Sequence, residues 1–271
     1  MQNAVVTALN LAPLTAALAL AWSPAATALP VTPKFTAPAP VRVRADDPTK
    51  PAVVPNDYVI TPFGYFHPSC VQYIDPSEQI STDGNVTRAD GTVRGIAPCG
   101  YPRYMADGTR IDPPSKELPN PRAPRVPPPE AYNGYLDYIT ALLSSPVDEM
   151  TAYVTVPPAP QTQTGQTVYL FPGLEDYQDV VSIIQPVLGW DADGTSSDKS
   201  WSISPWNCCR RGTVYEGPSA TVAAGDVVYG SMSLDAKDDT WTISVEDTSN
   251  SSIPVVTLTS KDEQTINVGT P

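Results

Sequence analysis

Beyond Val147 the chain reads as short runs of β-branched, aromatic and aliphatic residues broken by Gly, Asp, Asn and Pro. The runs are 151–156, 168–171, 180–190, 201–204, 227–234, 240–246 and 254–259. Runs of this length with turn residues between them predict short strands. Their number and spacing predict an all-β domain over residues 147–271, an antiparallel β-sandwich of the concanavalin-like jelly-roll kind. One stretch has a different period. Between Pro129 and Pro146, the residues Tyr135, Tyr138, Ile139 and Leu142 recur at helical spacing and predict one short helix.

Upstream, the pattern is dominated by proline. Of 32 prolines, 20 lie between Leu29 and Glu130, where neither a helix nor an interior strand persists. Residues 29–55 read as a Pro-rich linker. Residues 56–111 read as a small N-terminal region or propiece, whose phrase NDYVITPFGYFHPSCVQYI predicts one or two strands. Residues 112–146 read as a Pro-rich connector plus the short helix, open to proteolysis at Lys116, Arg122 and Arg125. Residues 1–28 hold no charged residue, carry an apolar run from Leu9 to Trp22, and close on Ala26-Thr27-Ala28. That is the pattern of a cleaved signal peptide, although the usual basic n-region is missing. The expectation is a secreted protein that is not membrane-bound after cleavage.

Charge agrees with export and excludes some partners. The net charge of −13 is concentrated in residues 147–271, which carry 17 Asp and Glu against 5 Lys and Arg. Such a surface repels phosphate backbones, so nucleic acid is not expected as a partner. A chain with one histidine and no CxxC pair offers no zinc set, and no cofactor or metal is expected. Cys70 and Cys99 bracket a polar stretch and are expected to pair. Cys208 and Cys209 are adjacent, and each is expected to seek a partner elsewhere. Asn85 and Asn250 head sequons, which matter only in a eukaryotic secretory route.

Gln185 is unusual in the run 180–190, because by the two-residue period it shares a face with Ile183 and Val187. An isolated Gln there is ordinarily a partly solvated surface residue. Its neighbours change the picture. AYVTVPPAP (152–160), VYLFPGLED (168–176), SIIQPVLGWD (182–191) and ATVAAGDVVYGSM (220–232) occur in the order of the motifs of the secreted glutamic peptidases of the eqolisin type. Together they resemble that family, and more remotely the neprosin-type glutamic peptidases. In eqolisins a strand ending in Val-Pro is followed by a Gly-[Ile/Leu]-acidic turn, an Ile-Leu-Gln strand and a Gly-Asp before a long strand.

The resemblance implies an acid-acting endopeptidase on protein or peptide substrates. Gln185 is then the catalytic amide that donates to the developing oxyanion, with a Glu carboxylate activating water. Glu175 corresponds to the acidic turn residue near the family's active site and is the second candidate, as an orienting group or as a solvated turn carboxylate. The family's catalytic Glu lies on a later strand than any read here. The expectation is therefore an incomplete chain or a disabled enzyme. Glu246 reads as a strand-end structural residue.

Other constellations are weaker. A Ser/His/Asp arrangement needs His67, which reads as structural, and a nucleophilic Cys208 or Cys209 would need the same histidine. Trp190, Trp201, Trp206 and Trp241 suit either the core or a sugar groove. The alternative function is a non-catalytic, secreted carbohydrate-binding or cell-surface sandwich with a polysaccharide partner. Both readings are of a monomer.

Overall fold

In the computed structural model, the described residues are 49–113, 141, 147–176, 179–192 and 199–261. The expected signal peptide, most of the expected linker and connector and, but for residue 141, the expected helix lie outside them. The N-terminal part carries eight short strands: β1 (Val59–Thr61), β2 (Gly64–Phe66), β3 (Val71–Tyr73), β4 (Gln79–Ile80), β5 (Val86–Thr87), β6 (Val93–Arg94), β7 (Arg103–Tyr104) and β8 (Arg110–Ile111). The remainder carries β9 (Glu149–Thr155), β10 (Val168–Leu170), β11 (Leu174–Asp176), β12 (Asp179–Trp190), β13 (Trp201–Cys208), β14 (Val214–Glu216), β15 (Ala220–Val222), β16 (Val227–Asp235), β17 (Thr240–Asp247) and β18 (Val256–Lys261). Helical structure among the described residues is limited to two 3-10 turns, Pro68–Cys70 and Arg210–Gly212.

Two seven-stranded sheets form a sandwich. One runs β10-β12-β13-β14-β3, with β11 also on β12 and β15 also on β13. The other runs β6-β5-β4-β18-β17-β16-β9. The fold is thus the all-β sandwich expected. Residues 71–94, which sequence grouping sets apart from the sandwich, complete both sheets. Strand β3 joins β14 and β4 joins β18 by the two parallel pairings among the described strands.

Alternation along the strands sorts the core. Ile184, Tyr215, Met232, Trp241, Ile243 and Leu258 meet between the sheets at one end. Leu188, Trp190, Trp201, Ile203, Val228 and Val245 meet between them at the other. Trp190, Trp201 and Trp241 are buried, so these tryptophans are core rather than a sugar groove.

Pro186 and Pro205 face one another in the middle of β12 and β13. A proline lacks the ladder donor and is normally confined to edges. Here each sits where the next strand outward is interrupted, between β10 and β11 on one side and between β14 and β15 on the other.

A smaller sheet, β1-β2-β7-β8, stands apart from the sandwich ladders. Its far side has its own small core of Val54, Tyr58, Tyr65 and Tyr104. Gly64 closes the β1–β2 hairpin at φ +100, and a Cβ there would run into the carbonyl oxygen of Tyr104. The passages between this sheet and the sandwich run through Cys70 and Cys99, which are bonded to each other as expected.

Cys208 and Cys209 are also bonded to each other, across a cis peptide. This corrects the expectation that each would find a distant partner. With Cys70 and Cys99 paired and four cysteines in the sequence, the chain holds no other cysteine for either.

Candidate active site

The twelve residues of β12 present two faces. Ile184, Leu188 and Trp190 point between the sheets, whereas Ile183, Gln185 and Val187 point to the opposite side. Register extends that second face across the sheet. Gln185 lies opposite Trp206, and Trp206 lies opposite Glu216, which in turn lies opposite Tyr73. Glu175 lies opposite Ile183, so it shares the Gln185 face and is its diagonal neighbour. A register shift between Glu175 and Asp176 marks a bulge at that point. Bulges re-aim side chains next to functional positions.

Gln185 is fully buried, and among the described residues neither its Oε1 nor its Nε2 has a hydrogen-bond partner. Gly173 lies beside it: a Cβ at that glycine would stand 2.8 Å from Ile183 Cδ1 and 3.6 Å from Gln185 Oε1. The Trp206 indole N–H, in contrast, donates to Ser204 Oγ at 2.6 Å. Glu175 is exposed. Glu216 is half-buried, a carboxylate on this face that sequence reading passed over. It was legible through the same two-residue period, had the run Val214–Glu216 been read as a strand. The phenol of Tyr73 is held above its ordinary range, first by burial and then by the charges of Asp75, Glu216 and Glu78.

The remaining sequence candidates lie elsewhere. Glu246 sits on β17 opposite Tyr229, in the other sheet from Gln185. His67 caps the turn Pro68–Cys70: its Nδ1 accepts from the Ser69 backbone N–H at 3.2 Å and lies 2.7 Å from Ser69 Oγ. Its Nε2 stands 3.6 Å from Asp57 Oδ2, and its ring stacks on Tyr101 at 3.7 Å. These contacts give the histidine a structural task. No cluster of His, Cys, Asp and Glu among the described residues could hold a metal.

Neither the family models nor the curated proteins contain a match to this chain. Among solved structures, scytalido-glutamic peptidase with a transition-state analogue inhibitor matches with 18% identity and a TM-score of 0.33. The match covers 45% of this chain and 54% of that one, so the chain spans about half the length of that peptidase.

Proposed function

We propose that this protein is a secreted, acid-acting endopeptidase-like protein of the glutamic type. The observation that carries the reading is Gln185: a fully buried amide with both polar atoms unpartnered, in the middle of the ordered motif set that resembles the eqolisins. Leaving a buried amide unpaired costs about 1–3 kcal/mol, and a group held at such cost is one a protein has reason to keep. Its Nε2 is a neutral donor for the oxyanion of an attacked peptide carbonyl, in surroundings that already exclude water. Glu175, diagonal to it, is the carboxylate that orients the attacking water.

The test is cleavage of an acid-denatured protein at a pH of about 3–4, near the carboxylate range. The full chain is assayed before and after limited tryptic digestion of the 112–146 connector. Cleavage that falls by about a hundredfold or more in Gln185→Ala supports the reading. No acid cleavage by either form of the wild type overturns it.

The carbohydrate-binding alternative loses the support of its tryptophans, because all four candidates are buried. It keeps one observation. Tyr153, 69% exposed, packs on its cross-strand partner Tyr229 on the outer face of the second sheet, among Thr151, Ser231 and Ser244. Retention on a polysaccharide column that disappears with Tyr153→Ala, in a chain without peptidase activity, selects that alternative.

A further inference from the structure

The Gln185 face is covered. Val59, Phe63 and Phe66 of the N-terminal sheet pack with Val187, Trp206 and Val214 in one buried cluster. Phe63 is the tip of the β1–β2 hairpin, fixed by the Thr61 hydroxyl, which accepts from the Phe63 N–H at 3.1 Å and donates to the Gly64 carbonyl at 2.9 Å. The Phe63 ring meets the indole of Trp206, the cross-strand partner of Gln185, edge-on at 6.4 Å.

We propose that the N-terminal sheet is an internal occupant of the Gln185 face. Phe63 holds the seat on Trp206 that a bulky apolar side chain of an extended peptide takes when the sheet is lifted. The inference rests on the reading of this face as the peptide site and adds its specificity and its regulation.

Three observations lead to it. Gln185 has no exposed surface, so no substrate reaches it until something moves. The small sheet packed over its neighbours Val187 and Trp206 forms no ladder with either sandwich sheet and has its own small core, so it can move as a unit. A polar tie across the boundary is Tyr169 Oη donating to the Ile60 carbonyl at 3.5 Å, a long bond that is cheap to break.

Covalent connectivity decides how the cover moves. A cut in the 112–146 connector leaves β3 to β6 seated in the two sheets, and the Cys70–Cys99 bond still closes the stem of the small sheet. Processing there does not discard the cover, which swings on its stem. Lifting it bares an aromatic and aliphatic floor of Trp206, Val187 and Val214, which selects a large apolar side chain and gives a polar one nothing in return.

The experiment reads binding in the Gln185→Ala background, where cleavage plays no part. Fluorescein-labelled Gly-Gly-Phe-Phe-Gly-Gly and its Ser-Ser counterpart are titrated by anisotropy at a pH of about 4. Adding Phe63→Ala is expected to raise affinity for the Phe-Phe peptide by about tenfold or more, leaving the Ser-Ser peptide unbound. A folded double variant that binds neither peptide, or both equally, overturns the proposal. Should Phe63→Ala not fold, Tyr169→Phe removes the Ile60 tie without emptying the core and is expected to shift affinity in the same direction. Preserved Phe-Phe binding without wild-type cleavage would sink the peptidase reading and leave this one standing.

Discussion

Gln185 and Trp206 face one another across β12 and β13, yet their polar atoms fare differently. The indole N–H has Ser204 Oγ at 2.6 Å, while the amide has no partner among the described residues. Trp190, Trp201 and Trp241 also bury an indole N–H without a partner among the described residues, but Gln185 leaves both a donor and an acceptor unpaired.

Gln185→Met tests the consequence. Methionine keeps the length and roughly the volume of the side chain and removes the unpaired amide, whose burial costs about 1–3 kcal/mol. The melting temperature is expected to rise by about 2–10 °C, with loss of any acid peptidase activity. Thermal unfolding of the two proteins side by side decides it. An unchanged or lower melting temperature would show that the amide is satisfied in solution.

Much of this site is written in local pattern, and part of it is not. The alternation in 180–190 places Gln185 with Ile183 and Val187 on one face, and the structure keeps that grouping. Strands β9, β16, β17 and β18 follow equally from their runs. The extension of β13 past Ser204 was hidden by Pro205, which reads as a terminator. It is tolerated because the outward neighbour is interrupted there. Strands β4 to β6 have two residues each, too few for a period to show. The cover on Gln185 comes from residues more than a hundred positions upstream. It is held through the parallel pairings β3–β14 and β4–β18, which leave no trace in nearby sequence.

The inner face of the sandwich gives a second test. Gly230 of β16 lies under Pro186, and a Cβ there would stand 2.6 Å from Pro186 Cγ and 2.8 Å from its Cβ. The proline ring is rigid and flanked by Pro205, so neither strand can yield easily. In an open strand, Gly→Ala would be favourable. Here Gly230→Ala is expected to destabilise by about 1–3 kcal/mol through overpacking. A lowered urea midpoint with unchanged slope is the expected result, whereas a gain in stability would mean that the sheets separate at that point without penalty.

Acid should loosen the β4–β6 end of the second sheet. Asp83 accepts from the Asn85 backbone N–H at 3.0 Å and from Ser81 Oγ at 2.8 Å, which lowers its pKa below the usual carboxylate range. Asp90 is lowered in the same direction by Thr92, through its hydroxyl at 2.6 Å and its backbone N–H at 2.9 Å. A carboxylate whose pKa is depressed by folding contributes stability above its unfolded value, near a pH of about 4, and that contribution disappears as pH falls through the folded value. Both groups are exposed, so the effect is local. Hydrogen exchange at Val86–Thr87 and Val93–Arg94, corrected for intrinsic rate, is expected to accelerate as pH drops from about 5 to about 2. The double variant Asp83→Asn/Asp90→Asn should flatten that dependence, because its amides accept the same bonds without titrating. An equally steep profile in the variant would place the acid sensitivity elsewhere. Since β4 is tied to β18 and thereby to the sandwich, a protein that works in acid would be working with this end of the sheet already weakened.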